Sequence, residues 1–107
     1  MAATTRIVCP AAAKPGEVIE IKTLIQHPME TGHRRDDSGA PIARDIIKEL
    51  AVTYNGAEIF RTEMFPGVSA NPYMMFTTTA TESGELVFTW TDDAGQKTVE
   101  RRRIVVG

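Results

Sequence analysis

The sequence predicts an all-β protein, an antiparallel β-sandwich of about seven strands. Three observations support this. Short runs rich in β-branched and aromatic residues recur at roughly 8–12-residue intervals, with turn residues between them. An Asn-Gly dipeptide, Asn55-Gly56, sits between two alternating runs, and Asn-Gly favours the positive φ angles of a tight hairpin turn. No segment keeps apolar residues at i, i+3, i+4 and i+7 for more than about two turns, so an amphipathic helix finds no support. The chain has 107 residues, the size of one compact domain (1–107), and the immunoglobulin-like sandwich fits that length. The Cys…Trp…Cys hallmark of antibody domains is absent, because Cys9 is the one cysteine.

The elements follow in order. "TRIVC" (5–9) is a first strand ended by Pro10, and "AAAKPGE" (11–17) is a loop built around the turn dipeptide Pro15-Gly16. "EVIEIKTLIQ" (17–26) alternates strictly. Ile19, Ile21, Thr23 and Ile25 share one face, Glu20 and Lys22 the other, as in a half-buried strand. "ARDIIKEL" (43–50) leads into a hairpin, "ELAVTYNGAEIFRTEM" (49–64). "YMMFTTTA" (73–80) is a further strand, closed by Glu82-Ser83-Gly84. "ELVFTWT" (85–91) puts Leu86, Phe88 and Trp90 on one face, and the turn Asp92 to Gly95 leads into "QKTVERRRIVV" (96–106). The predicted core therefore includes Ile19, Ile21, Ile25, Leu86, Phe88 and Trp90.

Composition excludes several functions. Apolar residues form 42% of the chain and charged residues 24%, enough for a core without staples. A net charge of −2 gives no global attraction for nucleic acid. No run approaches the ~20 apolar residues of a membrane span. Met1 to Arg6 carries one positive charge and no apolar core follows it, so no secretory signal is expected.

Chemistry-bearing residues concentrate in "HPMETGHRRD" (27–36). His27 and His33, with Glu30, Asp36 and Asp37, are residue types that zinc or copper accepts, but a Gly-containing loop does not fix three or four of them on one ion. The expectation is a polar loop without metal. Five methionines raise the question of copper, yet Met74 and Met75 are neighbours in a strand and point to opposite faces. One of them should pack inward, while the other is exposed or buried in an interface. Cys9, alone beside a proline, reads as a small buried hydrophobe, and no nucleophile elbow, P-loop or H-E-x-x-H is present. The protein is therefore expected to be no enzyme and to hold no cofactor. Arg101, Arg102 and Arg103 suit an edge strand protected against wrong pairing, or a grip on a carboxylate partner. "FPGVSANPYMMF" (65–76) is too apolar for a solvated connection, so it either covers the core or docks on something.

"KPGEVIEIKTLIQHPMETG", "NGAEIF", "SANPYMMF" and "ESGELVFTWTDDAG", in this order and spacing, closely resemble the SoxZ family, from about Lys14 to Val106. The resemblance implies an immunoglobulin-like sandwich that serves as the small subunit of a SoxYZ sulfur carrier in bacterial thiosulfate oxidation. It implies a SoxY-like partner bearing the carrier cysteine on a glycine-rich arm, transient contact with Sox pathway enzymes, and a periplasmic location reached by export together with that partner. It assigns no carrier role to Cys9, and the closing "RRRIVVG" has no arm cysteine. The rival readings are a small periplasmic copper- or zinc-binding β-protein and a free-standing interaction domain. The partner-binding candidates are Met29, Phe65, Val68, Tyr73 and Met74. These apolar residues are the hardest to assign to the core, and tyrosine and methionine are enriched at interfaces.

Overall fold

Pro10 shapes the start of the fold. It has no N–H to donate to a ladder, so the first strand stops short of it and the chain crosses to another sheet. The computed structural model describes residues 4–68 and 70–107. The expectation of a missing signal falls partly on Met1 to Ala3, and Ser69 belongs to the "SANPY" stretch. Both lie outside the described residues.

Among the described residues eight strands form two sheets: β1 (Thr5–Val8), β2 (Ala12–Ala13), β3 (Val18–Ile25), β4 (Ile47–Tyr54), β5 (Ala57–Glu63), β6 (Tyr73–Thr79), β7 (Gly84–Asp92) and β8 (Lys97–Val106). One sheet has the order β1-β3-β6, the other β2-β8-β7-β4-β5. All pairs are antiparallel except β2, which runs parallel to β8. Residues 11–17, a loop by their turn residues, are not loop throughout. The two-residue β2 lies within them, held by backbone bonds from Val105 N–H to the Ala11 carbonyl and from Gly107 N–H to the Ala13 carbonyl. Strands that switch sheets in this way close the corners of a sandwich. The architecture is the immunoglobulin-like sandwich that the strand spacing predicts.

The predicted core holds. Ile19, Ile21 and Ile25 of β3 and Leu86, Phe88 and Trp90 of β7 are all buried, together with Leu50, Val52 and Tyr54 of β4. The sheets are further locked by Phe60 of β5 stacked on Phe76 of β6, with ring centroids 4.3 Å apart and 4° between the planes. Thr23 is buried among the isoleucines because its hydroxyl donates to the Met74 carbonyl at 3.1 Å, which satisfies the one polar group it brings inside. Ile46 and Ile47 are both buried although adjacent, because the β4 ladder to β7 shifts register between Ile47 and Glu49. The β4–β5 turn has φ of 49° at Asn55 and 84° at Gly56, both positive as a type I′ turn demands. Among the described residues no helix is long and apolar enough to cross a membrane.

Candidate functional site

Between β3 and β4 the chain makes its longest excursion, residues 26–46, and the loop "HPMETGHRRD" is its first half. It is not the loosely held polar turn that its composition suggests. Glu30 and Asp45 exchange two backbone hydrogen bonds of 2.8 Å, and Arg35 bridges to Pro41, so the excursion folds back on itself as an irregular hairpin. At its tip the Asp36 carboxylate accepts from the Ser38 N–H, the Ser38 hydroxyl and the Ala40 N–H. Arg34 grips Glu30 with both its Nε and an Nη. Arg44 holds Asp93 through two bonds of 2.8 Å, while the Ile46 N–H donates to the same carboxylate, tying the end of the loop to the β7–β8 turn. These contacts hold the carboxyls of Glu30, Asp36 and Asp93 below the usual carboxylate range. The causes, in each case the largest first, are the Arg34 guanidinium, the Ser38 hydroxyl and the Arg44 guanidinium.

Met29 corrects one expectation. It is not an exposed knob: it is only 4% accessible and belongs to the core. Its backbone is left-handed, φ 53°, which turns the side chain inward, and its Sδ accepts the Ile47 N–H at 3.2 Å. Thioethers are weak acceptors, but here the sulfur takes a backbone donor that would otherwise be buried without a partner.

His27 is the second fixed point. Its backbone N–H donates to the Asn71 side-chain oxygen at 2.8 Å, and the Asn71 N–H returns a bond to the His27 carbonyl at 2.7 Å. "HPMETG" and "SANPY", the two stretches most characteristic of the resemblance, are therefore in direct contact at one end of the sandwich. The His27 ring points into a cleft it shares with Asp45, Asp92, Gln96 and Thr98. The residues that converge differ from those the sequence suggested. His27, Asp45 and Asp92 bring ligand atoms within 4.8 Å of one another, whereas His33, Asp36 and Asp37 stay apart from this group. The geometry still argues against a cation there. His27 Nδ1 accepts the Met29 N–H at 3.0 Å, so Nδ1 bears no proton and the neutral ring carries its hydrogen on Nε2. Nε2 is the atom that faces Asp45, 3.8 Å away. A cation would meet an N–H there instead of a lone pair. Asp45 and Asp92 line the cleft beside the ring, and the Asp92 carboxylate accepts the Gln96 N–H at 2.8 Å.

The remaining candidates separate. Phe65 is exposed at the end of β5, in a groove with Arg44, Lys48, Glu63 and Met64. Val68 folds back and packs against the core, as a cover. Tyr73 is 53% exposed on the outer face of β6. Met74 is corrected: it is the inward member of its pair, packed against the core, and Met75 is the exposed one. The outer face of the three-stranded sheet also carries features the sequence reading did not single out. Val8, Leu24 and Tyr73 line a groove with Arg6 and Lys22 at its rim. The register explains the cluster, since Arg6 pairs with Leu24, Leu24 with Tyr73, Val8 with Lys22 and Lys22 with Met75. Alternation assigned this face to solvent, and only the pairing of three strands places its apolar members side by side.

Cys9 lies just beyond β1, half-buried, and burial pushes its thiol pKa up, away from the reactive thiolate. Arg101 to Arg103 lie on β8 beyond the reach of the short β2, which covers only Val105 and Val106. That stretch is an open sheet edge, in line with the protective reading, and Arg101 pairs across to Glu85 of β7 at 2.9 Å.

By fold and site this is an immunoglobulin-like sandwich with one pinned loop and one uncovered apolar sheet face. The chain belongs to the SoxZ family: residues 6–102 match the family model described as "Sulphur oxidation protein SoxZ". Among curated proteins nothing matches. Similar solved structures include a variant of the superoxide reductase (neelaredoxin) from Ignicoccus hospitalis, with a TM-score of 0.77 and 19% identity over 98% of this chain and 81% of that one. The sulfur carrier protein SoxY from Chlorobium limicola f thiosulfatophilum has a TM-score of 0.67 and 12% identity, over 96% and 78% of the two chains. A putative superoxide reductase from Thermotoga maritima has 0.74 and 16%, over 96% and 85%. At these identities the likenesses establish the fold.

Proposed function

We propose that the protein is the non-catalytic subunit of a heterodimeric sulfur carrier. It pairs with a SoxY-like subunit that bears the carrier cysteine, and it helps present the sulfur intermediates to enzymes of thiosulfate oxidation in the periplasm. The observation that carries this reading is membership of the SoxZ family over residues 6–102. Two features support it. The lone thiol is half-buried with a raised pKa, a poor starting point for covalent sulfur chemistry. The outer face of the three-stranded sheet offers Tyr73, Met75 and Val8 exposed around a groove, the kind of apolar centre with a charged rim that a stable interface uses.

The test is co-expression with a SoxY-like chain followed by size-exclusion chromatography and titration. A one-to-one complex is expected. Tyr73→Ala should weaken it by roughly thirtyfold, the loss of a residue worth about 2 kcal/mol at the interface. If no complex forms at micromolar concentration, the reading fails.

A further inference from the structure

Each sheet edge in this fold presents unpaired backbone N–H and C=O groups, and natural proteins protect such edges with charge, bulges or brevity. Three of the four edges here are protected. β5 carries Glu58, Arg61 and Glu63 in seven residues and departs from regular register opposite Val52 and Thr53. β8, left open below β2, carries Lys97, Glu100 and Arg101 to Arg103. β1 is four residues long and includes Arg6. β6 has none of these devices. Its seven residues, Tyr-Met-Met-Phe-Thr-Thr-Thr, include no charge, proline or glycine, and its ladder to β3 runs from Thr79 to Tyr73 without a register shift. Its other side pairs with no described strand. The residues facing outward beside that edge, Tyr73 and Met75, adjoin the groove of Val8 and Leu24.

We propose that the free edge of β6 receives an extended strand of the SoxY-like partner, so that a sheet runs continuously from one subunit into the other. This inference rests on the function proposed above. Strand addition draws affinity from main-chain hydrogen bonds and specificity from alternate side chains, and here Tyr73, Met75 and Thr77 are the alternate side chains flanking the new strand. A subunit with the fold of the SoxY structure from Chlorobium limicola, which shares this architecture over 96% of the chain, has sheet edges to offer. One observation favours that partner over a second copy of this chain. The adjoining groove is rimmed by the cations of Arg6 and of Lys22, the latter 3.4 Å from Glu20, and this net positive rim complements a partner surface with carboxylates. A second copy packed there face to face would bring the same two cations.

The experiment is residue-resolved amide hydrogen exchange on the full chain, alone and with the SoxY-like subunit, together with Thr77→Lys. Thr77 is exposed, so the lysine does not threaten the core. The expected result is that alternate amides within Tyr73–Thr79 exchange at least tenfold more slowly in the complex, and that Thr77→Lys weakens binding at least tenfold with the fold intact. A complex that forms with β6 exchange unchanged overturns this inference and leaves the proposed function standing. Concentration-dependent protection of β6 in the chain alone, unaltered by the partner, assigns the edge to a second copy and also overturns it. Failure to form any complex overturns the proposed function, and this inference falls with it.

Discussion

Met29 offers the sharpest test of how the loop is built. In Met29→Ala the side chain is truncated in the core at a residue only 4% accessible. Removing a buried methionine side chain costs about 2–5 kcal/mol, depending on how far the cavity collapses. The Ile47 N–H then also loses its sulfur acceptor, and a buried donor left without a partner costs a further ~1–3 kcal/mol unless water reaches it. The sum, about 3–8 kcal/mol, is a large share of the 5–15 kcal/mol that such a domain has in total. Met29→Leu separates the two effects. It keeps nearly the same volume and removes only the acceptor, so it should cost about 1–3 kcal/mol. The assay is urea unfolding at constant m-value, with the midpoint shift converted to free energy. If Met29→Ala loses less than about 1 kcal/mol while partner affinity falls, the residue faces the partner and its burial in the free chain has been misread. If Met29→Leu costs as much as Met29→Ala, shape governs the site and the sulfur bond is incidental.

Three further outcomes are expected. Gly84→Ala should destabilise by about 2–4 kcal/mol, because a Cβ there would lie 1.7 Å from the Asn55 side-chain oxygen, which accepts the Glu85 N–H at 2.9 Å; in an Asn55→Gly background much of the penalty should vanish, and strict additivity in the double-mutant cycle refutes the clash. Acid should loosen the 26–46 loop first: the carboxyls of Glu30, Asp36 and Asp93 are held below their ordinary values, so what they contribute is fully present above about pH 4 and is lost as pH falls through their lowered pKa values. Amide exchange in the loop, followed from pH 5 downward (~5 as a start, above the carboxylate range), should rise before that of β7, and Asp93→Asn should flatten the trend; simultaneous opening of loop and sheet counts against it. Cys9→Ser should leave thiosulfate-dependent turnover of the reconstituted carrier nearly intact, and complete loss with the complex still assembled would place sulfur chemistry on this chain.

The sandwich was legible because its signals are local. Ile19, Ile21 and Ile25, and Leu86, Phe88 and Trp90, declare their face by period-two spacing, and Asn55-Gly56 declares its turn by the φ angles it tolerates. The site was less legible because its determinants are non-local. Nothing in "HPMETG" says that Met29 turns inward, since that depends on a left-handed φ at a residue that rarely adopts one. Met74 and Met75 were correctly split between faces, but the direction of the split depends on the pairing of β6 with β3. The neighbours of His27 are Asn71, Asp45 of the β3–β4 loop and Asp92 at the end of β7, which periodicity cannot bring together. β2 escaped because two alanines carry no alternation to read.

The two stretches that mark the family do one physical job. His27 and Asn71 close reciprocal hydrogen bonds across 44 residues, both flanked by left-handed backbone at Met29 and Asn71 itself. The Pro72 carbonyl, next in the chain, accepts the Ile25 N–H at 3.3 Å, immediately before β6 begins. The pin thus fixes the entry of β6 beside the end of β3, and with it the register that aligns Tyr73 with Leu24 and Met75 with Lys22. A one-residue slip would turn Phe76 away from its stack on Phe60 and bring Tyr73 and Met75 inside. Loop and sheet face are therefore coupled: the polar end holds the apolar face in the arrangement a partner would meet. Asn71→Ala, which removes the side-chain oxygen that accepts the His27 N–H, should accordingly weaken partner binding through β6, at a distance from the groove itself. The same variant should leave exchange protection of β7 and β8 unchanged, and a loss spread evenly over both sheets would show that the pin serves general stability alone.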